Sequence, residues 1–126
     1  MKNRKLLLAG SALLLCFSCY YDDYPELEIP DVDPETPISF SEDIEPSLQQ
    51  CTGCHNGTVH PMDLRTGNAY NSIVPDRVVR GDAEASRFYQ YLPGLPGTAH
   101  PNVDVALTST EIANIKAWID RGAEDN

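Results

Sequence analysis

The chain has 126 residues, with nineteen acidic against nine basic side chains, a formal net charge of −10 and four cysteines. That length holds one small domain, and so acidic a chain excludes a nucleic-acid-binding surface and electrostatic attachment to anionic lipid. It favours a cationic partner or simply solubility.

Lys2, Arg4 and Lys5 precede an apolar run from Leu6 to Phe17, broken mainly by Gly10 and Ser11. A basic n-region followed by a short apolar stretch predicts a secretory signal peptide over residues 1–18, too short for a mature membrane span. Small Ser18 followed by Cys19 resembles the lipobox of bacterial lipoproteins, with Cys16 where that motif prefers Leu. The resemblance implies cleavage after Ser18 and acylation of Cys19; ordinary cleavage without lipid is the alternative. Asp22 and Asp23 are similar to the acidic signal that sends some Gram-negative lipoproteins to the cell surface, an ordinary solvated linker being the other reading. The expected location is extracytoplasmic, in the periplasm or at the cell surface, with a lipid anchor as the membrane contact.

Residues 19–37 hold Pro25, Pro30, Pro34 and Pro37 among acids, a composition that builds no core and predicts an extended, self-repelling tether. Ten acids lie between Asp22 and Glu45, where no Lys or Arg occurs.

The domain is expected over residues 38–126. Phe40, Ile44 and Leu48 fall at helical spacing, with Ser39 and Glu42, or Ser41 alone, as the cap. Pro46 fits best in the first turn, so the helix into Cys51 is expected to be short or kinked.

Cys51-Thr52-Gly53-Cys54-His55 follows. Cys-x-x-Cys-His is the attachment pattern of a c-type haem: two thiols on one short turn each form a thioether with a vinyl group, and the adjacent imidazole is held as proximal iron ligand. The rivals are a redox disulfide, which wants a βαβ setting, and half a zinc site, which needs two more ligands. With Cys16 in the signal, Cys19 lipidated and Cys51 and Cys54 on haem, no thiol remains for a disulfide.

Residues 56–67 have loop chemistry, with Leu64 tucked beneath. A brief helix is expected over Ala69 to Val74, ended by Pro75. Another is expected over Asp82 to Leu92, capped near Asp82, with Phe88, Tyr91 and Leu92 facing inward and Pro93-Gly94 as terminator. The last helix opens on the capping box Thr108-x-x-Glu111, carries the apolar stripe Ile112, Ile115, Trp118 and Ile119, and closes at Gly122. So small a domain is short of apolar mass, which predicts that the apo chain folds poorly without the porphyrin.

Three further stretches stand beside the haem motif: Asp43-Ile44-Glu45-Pro46-Ser47-Leu48, Asp63-Leu64-Arg65-Thr66-Gly67 and Val79-x-Gly81-Asp82-x-x-x-Ser86. With Leu107-Thr108-x-x-Glu111-Ile112-x-x-Ile115-x-x-Trp118-Ile119-x-x-Gly122-Ala123, they make the chain resemble the class I c-type cytochromes, and more narrowly the planctomycete-type cytochrome c domain. The resemblance covers nearly the whole domain. It implies an all-α fold of short helices and long loops around one covalent haem c, and one-electron transfer between redox protein partners, not enzymatic turnover. Relatives place a Met-Pro pair before the last helix, the Met being the distal iron ligand; here the position reads His100-Pro101. Pro101 biases His100 to an extended backbone that presents its ring. His100 is therefore the expected distal ligand, with Met62, His60 or an open position as alternatives. An open position would make the protein a five-coordinate sensor or peroxidase-like protein; a haem that mainly stabilises a larger complex is a third reading. Arg65, Arg77 and Arg80 are candidates to pair with the haem propionates, or are solvated surface arginines.

Overall fold

Ser39 opens the first helical segment in a computed structural model that describes residues 27–98, 100 and 105–126. The expected signal peptide, the Cys19 lipid site and the start of the tether lie outside these residues. The Ser39 hydroxyl accepts the Glu42 N–H at 3.3 Å, but the carboxylate that answers, accepting the Ser39 N–H at 2.8 Å, belongs to Asp43 and not to Glu42. The displacement follows from a wide π turn over Phe40–Ile44, in which the Ile44 N–H reaches the Ser39 carbonyl. A turn one residue wider brings i+4, not i+3, back beneath the cap. Helix α1 (Glu45–Leu48) then takes Pro46 in its first turn and tightens into a 3-10 turn over Gln49–Cys51. The expected kink is present, with Phe40, Ile44 and Leu48 buried.

Leu64 is buried as expected, its carbonyl accepting from the Gln49 amide and the nearby Gly67 N–H donating to Glu45. These bonds fasten the Asp63–Gly67 stretch to α1. Helix α2 (Ala69–Arg77) runs past the expected stop and contains Pro75. Pro75 and Asn71 are both exposed, so the carbonyl that loses its donor can be hydrated and the break is avoided.

The expected helix from Asp82 to Leu92 is reduced to α3 (Arg87–Gln90). The reason is local competition: the Asp82 carboxylate accepts the Ala85 N–H, and the buried Ser86 hydroxyl serves the Val79 N–H and the Val79 and Asp82 carbonyls. Short polar side chains that bond to nearby backbone favour turns over helix. The inward set shifts as well, because Tyr89 is buried while Tyr91 is 43% exposed. Gly81 donates to the Ile119 carbonyl and Ala83 to the Asp120 carboxylate, tying this knot to the last helix.

At Pro93-Gly94 the chain turns back beside Leu107. Gly94 has φ +102°, and a Cβ there would stand 3.0 Å from the Leu107 carbonyl oxygen, so the position requires glycine. Helix α4 (Ser109–Asp120) has the expected reciprocal capping box between Thr108 and Glu111, and it buries Ile112, Ile115, Trp118 and Ile119. Phe40 meets Trp118 and Tyr70 at ring-centroid distances of 5.1 and 5.2 Å, which joins the segment before the cysteines to α4 and α2. The described residues thus form a helical domain without strands, in agreement with the all-α expectation.

The described part of the tether is laid on the body. Leu27, Ile29 and Ile38 pack against the core. The Arg121 guanidinium donates to the Thr36 and Asp33 carbonyls at 2.6 and 3.0 Å, and Asn126 bonds to Ile38, Ser39, Phe40 and Ser41. Acids rule out burial of the whole segment, but alternating Leu27 and Ile29 supply one apolar edge.

Candidate haem-attachment site

The 3-10 turn delivers Cys51 to the end of the first helical segment, and the His55 N–H bonds to the Cys51 carbonyl at 2.9 Å. One tight turn therefore displays both thiols and the imidazole. Gly53 has open space where a Cβ would be. Cys54 and His55 form one wall of a cavity of about 370 Å³, a size typical of a small-molecule or cofactor pocket. Cys51 is half-buried and packs against the edge of the hydrophobic core. The two cysteines are not bonded to each other.

Val59, His60 and Met62 supply a second wall, and His100 closes it from the loop before α4. Arg77 ends α2 at the cavity, while Arg87 and Phe88 approach from α3 and Tyr91 from its C-cap. The cavity therefore gathers residues from the stretch after Cys51, the end of α2, the α3 segment and the loop before α4. His100 and Met62, the two expected distal candidates, both reach it.

The three histidines are not equivalent. His55 and His60 rings lie edge to face with centroids 4.5 Å apart, whereas His55 and His100 are 6.1 Å apart and mutually tilted. The His60 ring is also held within its own loop, Nδ1 accepting the Met62 N–H at 3.2 Å. Burial, together with the charges of His60, His100 and Arg77, pushes the His55 pKa down. His55 is thus neutral near pH 7, with a lone pair available to a metal. Its Nδ1 is buried and has no hydrogen-bond partner among the described residues.

Cys51 discriminates between the chemistries the motif allows. Burial, then the negative charges of Glu111 and Cys54, raise its pKa. A reactive redox dithiol needs the opposite shift toward thiolate. Among the described residues, no group of three or more His, Cys, Asp or Glu side chains converges as a metal cage, so the two ligands that would complete a zinc site are missing there. A porphyrin brings four nitrogens of its own and asks the chain only for axial donors. The neutral, half-buried imidazole and the Cys54 thiol on the wall of a largely apolar cavity, with the free Cys51 thiol one turn away, fit that group.

The arginines sort by their partners. Arg65 is engaged by Asp63 at 2.9 and 2.7 Å. Arg80 is spent on the Gly122 and Ala123 carbonyls and on the Tyr70 hydroxyl. Arg77 alone of the three lines the cavity, and Arg87, which the sequence did not single out, joins it. Neither forms an ion pair among the described residues. The available signal was the Arg87, Phe88, Tyr91 spacing, which places the three on one helical face.

No known protein family, curated protein or solved structure matches the chain. No described helix is long and apolar enough to cross a membrane.

Proposed function

We propose that the protein is a monohaem c-type cytochrome, a one-electron carrier between extracytoplasmic protein partners, held at a bacterial membrane through Cys19. The haem would supply the reversible one-electron couple. The supporting observation is the Cys54–His55 wall: an unpaired thiol and a neutral imidazole with a buried, partnerless nitrogen, both facing an apolar cavity. Cys51 and Cys54 hold the cofactor covalently, and His55 is the proximal ligand. Arg77 and Arg87 are suited to the propionates, since a guanidinium fork matches a carboxylate.

His100 is the distal ligand in this reading. The reading is supported by the placement of the His100 ring on the cavity lining 6.1 Å from that of His55, whereas the His60 ring packs edge to face on His55 at 4.5 Å and its Nδ1 is occupied by the Met62 N–H. Two imidazole ligands favour oxidised iron relative to a thioether and predict a lower-potential carrier. Were His55 and His100 both to hold the iron, small molecules would be kept from it and the protein would relay electrons without turnover.

Mass measurement of the exported chain tests the reading. A single covalent haem adduct is expected, lost in a Cys51→Ala, Cys54→Ala double variant. An exported wild-type chain without the adduct would refute it.

A further inference from the structure

The face of α3 turned away from the cavity looks across a groove to the N-terminal strap. Arg87, Phe88 and Tyr91 line the cavity, whereas Tyr89 and Gln90 line a groove shared with Leu27 and Ile29. On a helix these two sets point to opposite sides. The other lip of that groove is the turn Leu95 to Thr98, which leads to His100.

This turn holds itself weakly. The Leu95 and Thr98 N–H groups make bonds of 3.3 Å to the Leu92 and Leu95 carbonyls, and the His100 N–H reaches the Thr98 hydroxyl at 3.2 Å. All are at the long end for such bonds. Leu95 is partly buried against the core, and the strap supplies apolar surface beside it. The strap itself is pinned at its far end by the two Arg121 hydrogen bonds.

We infer that the strap from Leu27 to Ile38 is a positioning element for His100: pinned by Arg121, it seats Leu27 and Ile29 against α3 and the Leu95–Thr98 turn, and so sets how often the distal ligand is in place. The inference rests on the cytochrome reading and on His100 as distal ligand. Releasing the strap costs the turn a partly buried aliphatic neighbour across the groove, enough to shift the ligand's off-equilibrium by roughly tenfold.

The test uses full-length holo-protein in three forms beside wild type: Arg121→Gln, Arg121→Lys, and a strap with residues 27–37 replaced by Gly and Ser at equal length. The readouts are the high-spin fraction of the oxidised form and the rate of carbon monoxide binding to the reduced form. Carbon monoxide must wait for the distal ligand to leave, so binding is expected about tenfold faster in Arg121→Gln and in the Gly/Ser strap. Arg121→Lys, which keeps a cationic donor for the carbonyls, is expected to recover part of the wild-type rate. A Gly/Ser-strap protein that stays low-spin and binds carbon monoxide at the wild-type rate overturns the inference. A wild-type protein that carries haem but is already high-spin overturns the distal-ligand reading beneath it, and one without haem overturns the cytochrome reading.

Discussion

The Phe40 ring lies against the Trp118 indole, centroids 5.1 Å apart, and this contact helps to join the segment that presents the cysteines to the last helix. The indole N–H is satisfied by the Glu124 carbonyl at 2.9 Å, so the side chain is buried without a polar debt. Trp118→Ala removes the ring and leaves a cavity, at an expected cost of about 3–5 kcal/mol. Denaturant unfolding of the holo-protein measures it. A loss under about 1 kcal/mol would mean that the helix–helix contact does not organise the domain.

The histidines make a sharper prediction. His100→Ala should abolish the low-spin bis-imidazole signature in optical and paramagnetic resonance spectra, while Met62→Leu should leave it in place. The reverse pattern would assign the distal position to Met62, which also lines the cavity.

Ser86 is fully buried and its hydroxyl meets three backbone groups. Ser86→Ala leaves the Val79 N–H without that partner, at an expected cost of about 1–3 kcal/mol. Ser86→Thr adds a methyl where there is no room and should be no better tolerated. Thermal melts of both variants decide this; a neutral Ser86→Ala would make the turn over Val79–Ser86 dispensable.

Asp63 gives a pH dependence. Its hydrogen bonds to the Arg65 guanidinium, with the Asn68 amide adding another, lower its pKa from 3.8 to about 2. A carboxylate depressed in the folded state stabilises above its unfolded pKa and stops doing so as the pH falls through the folded one. The stability difference between wild type and Asp63→Asn should therefore be constant above pH 3.8 and shrink toward zero near pH 2. Melting temperatures across that range test it, and a difference that persists unchanged at pH 2 would rule it out.

Cofactor removal is the broadest expectation. The cavity opens at the meeting point of α2, α3 and two loops, so its walls lack packing partners when empty. The Cys51→Ala, Cys54→Ala chain should unfold at a markedly lower temperature than the holo-protein, with binding energy of the native state as the difference. Equal melting temperatures would show that the helices sustain the fold unaided.

The sequence by itself determined what depends on near neighbours. The kink around Pro46, the capping box of Thr108 and Glu111, the apolar stripe of α4 and the thiol–thiol–imidazole display are all set by residues within a turn or two of one another. Periodicity and capping chemistry carry that information directly. Where local signals compete, the sequence misled: Asp82 looked like a helix cap, yet with Ser86 it closes a turn, and Pro75 looked like a stop although its lost bond falls on exposed backbone. Only the tertiary structure decided which residues meet across the cavity. It placed His100 at 6.1 Å from His55, separated Arg77 from Arg65 and Arg80, brought in Arg87 and laid the acidic strap on the body through Arg121. Those relations depend on how distant segments pack, and composition and spacing along the chain do not encode them.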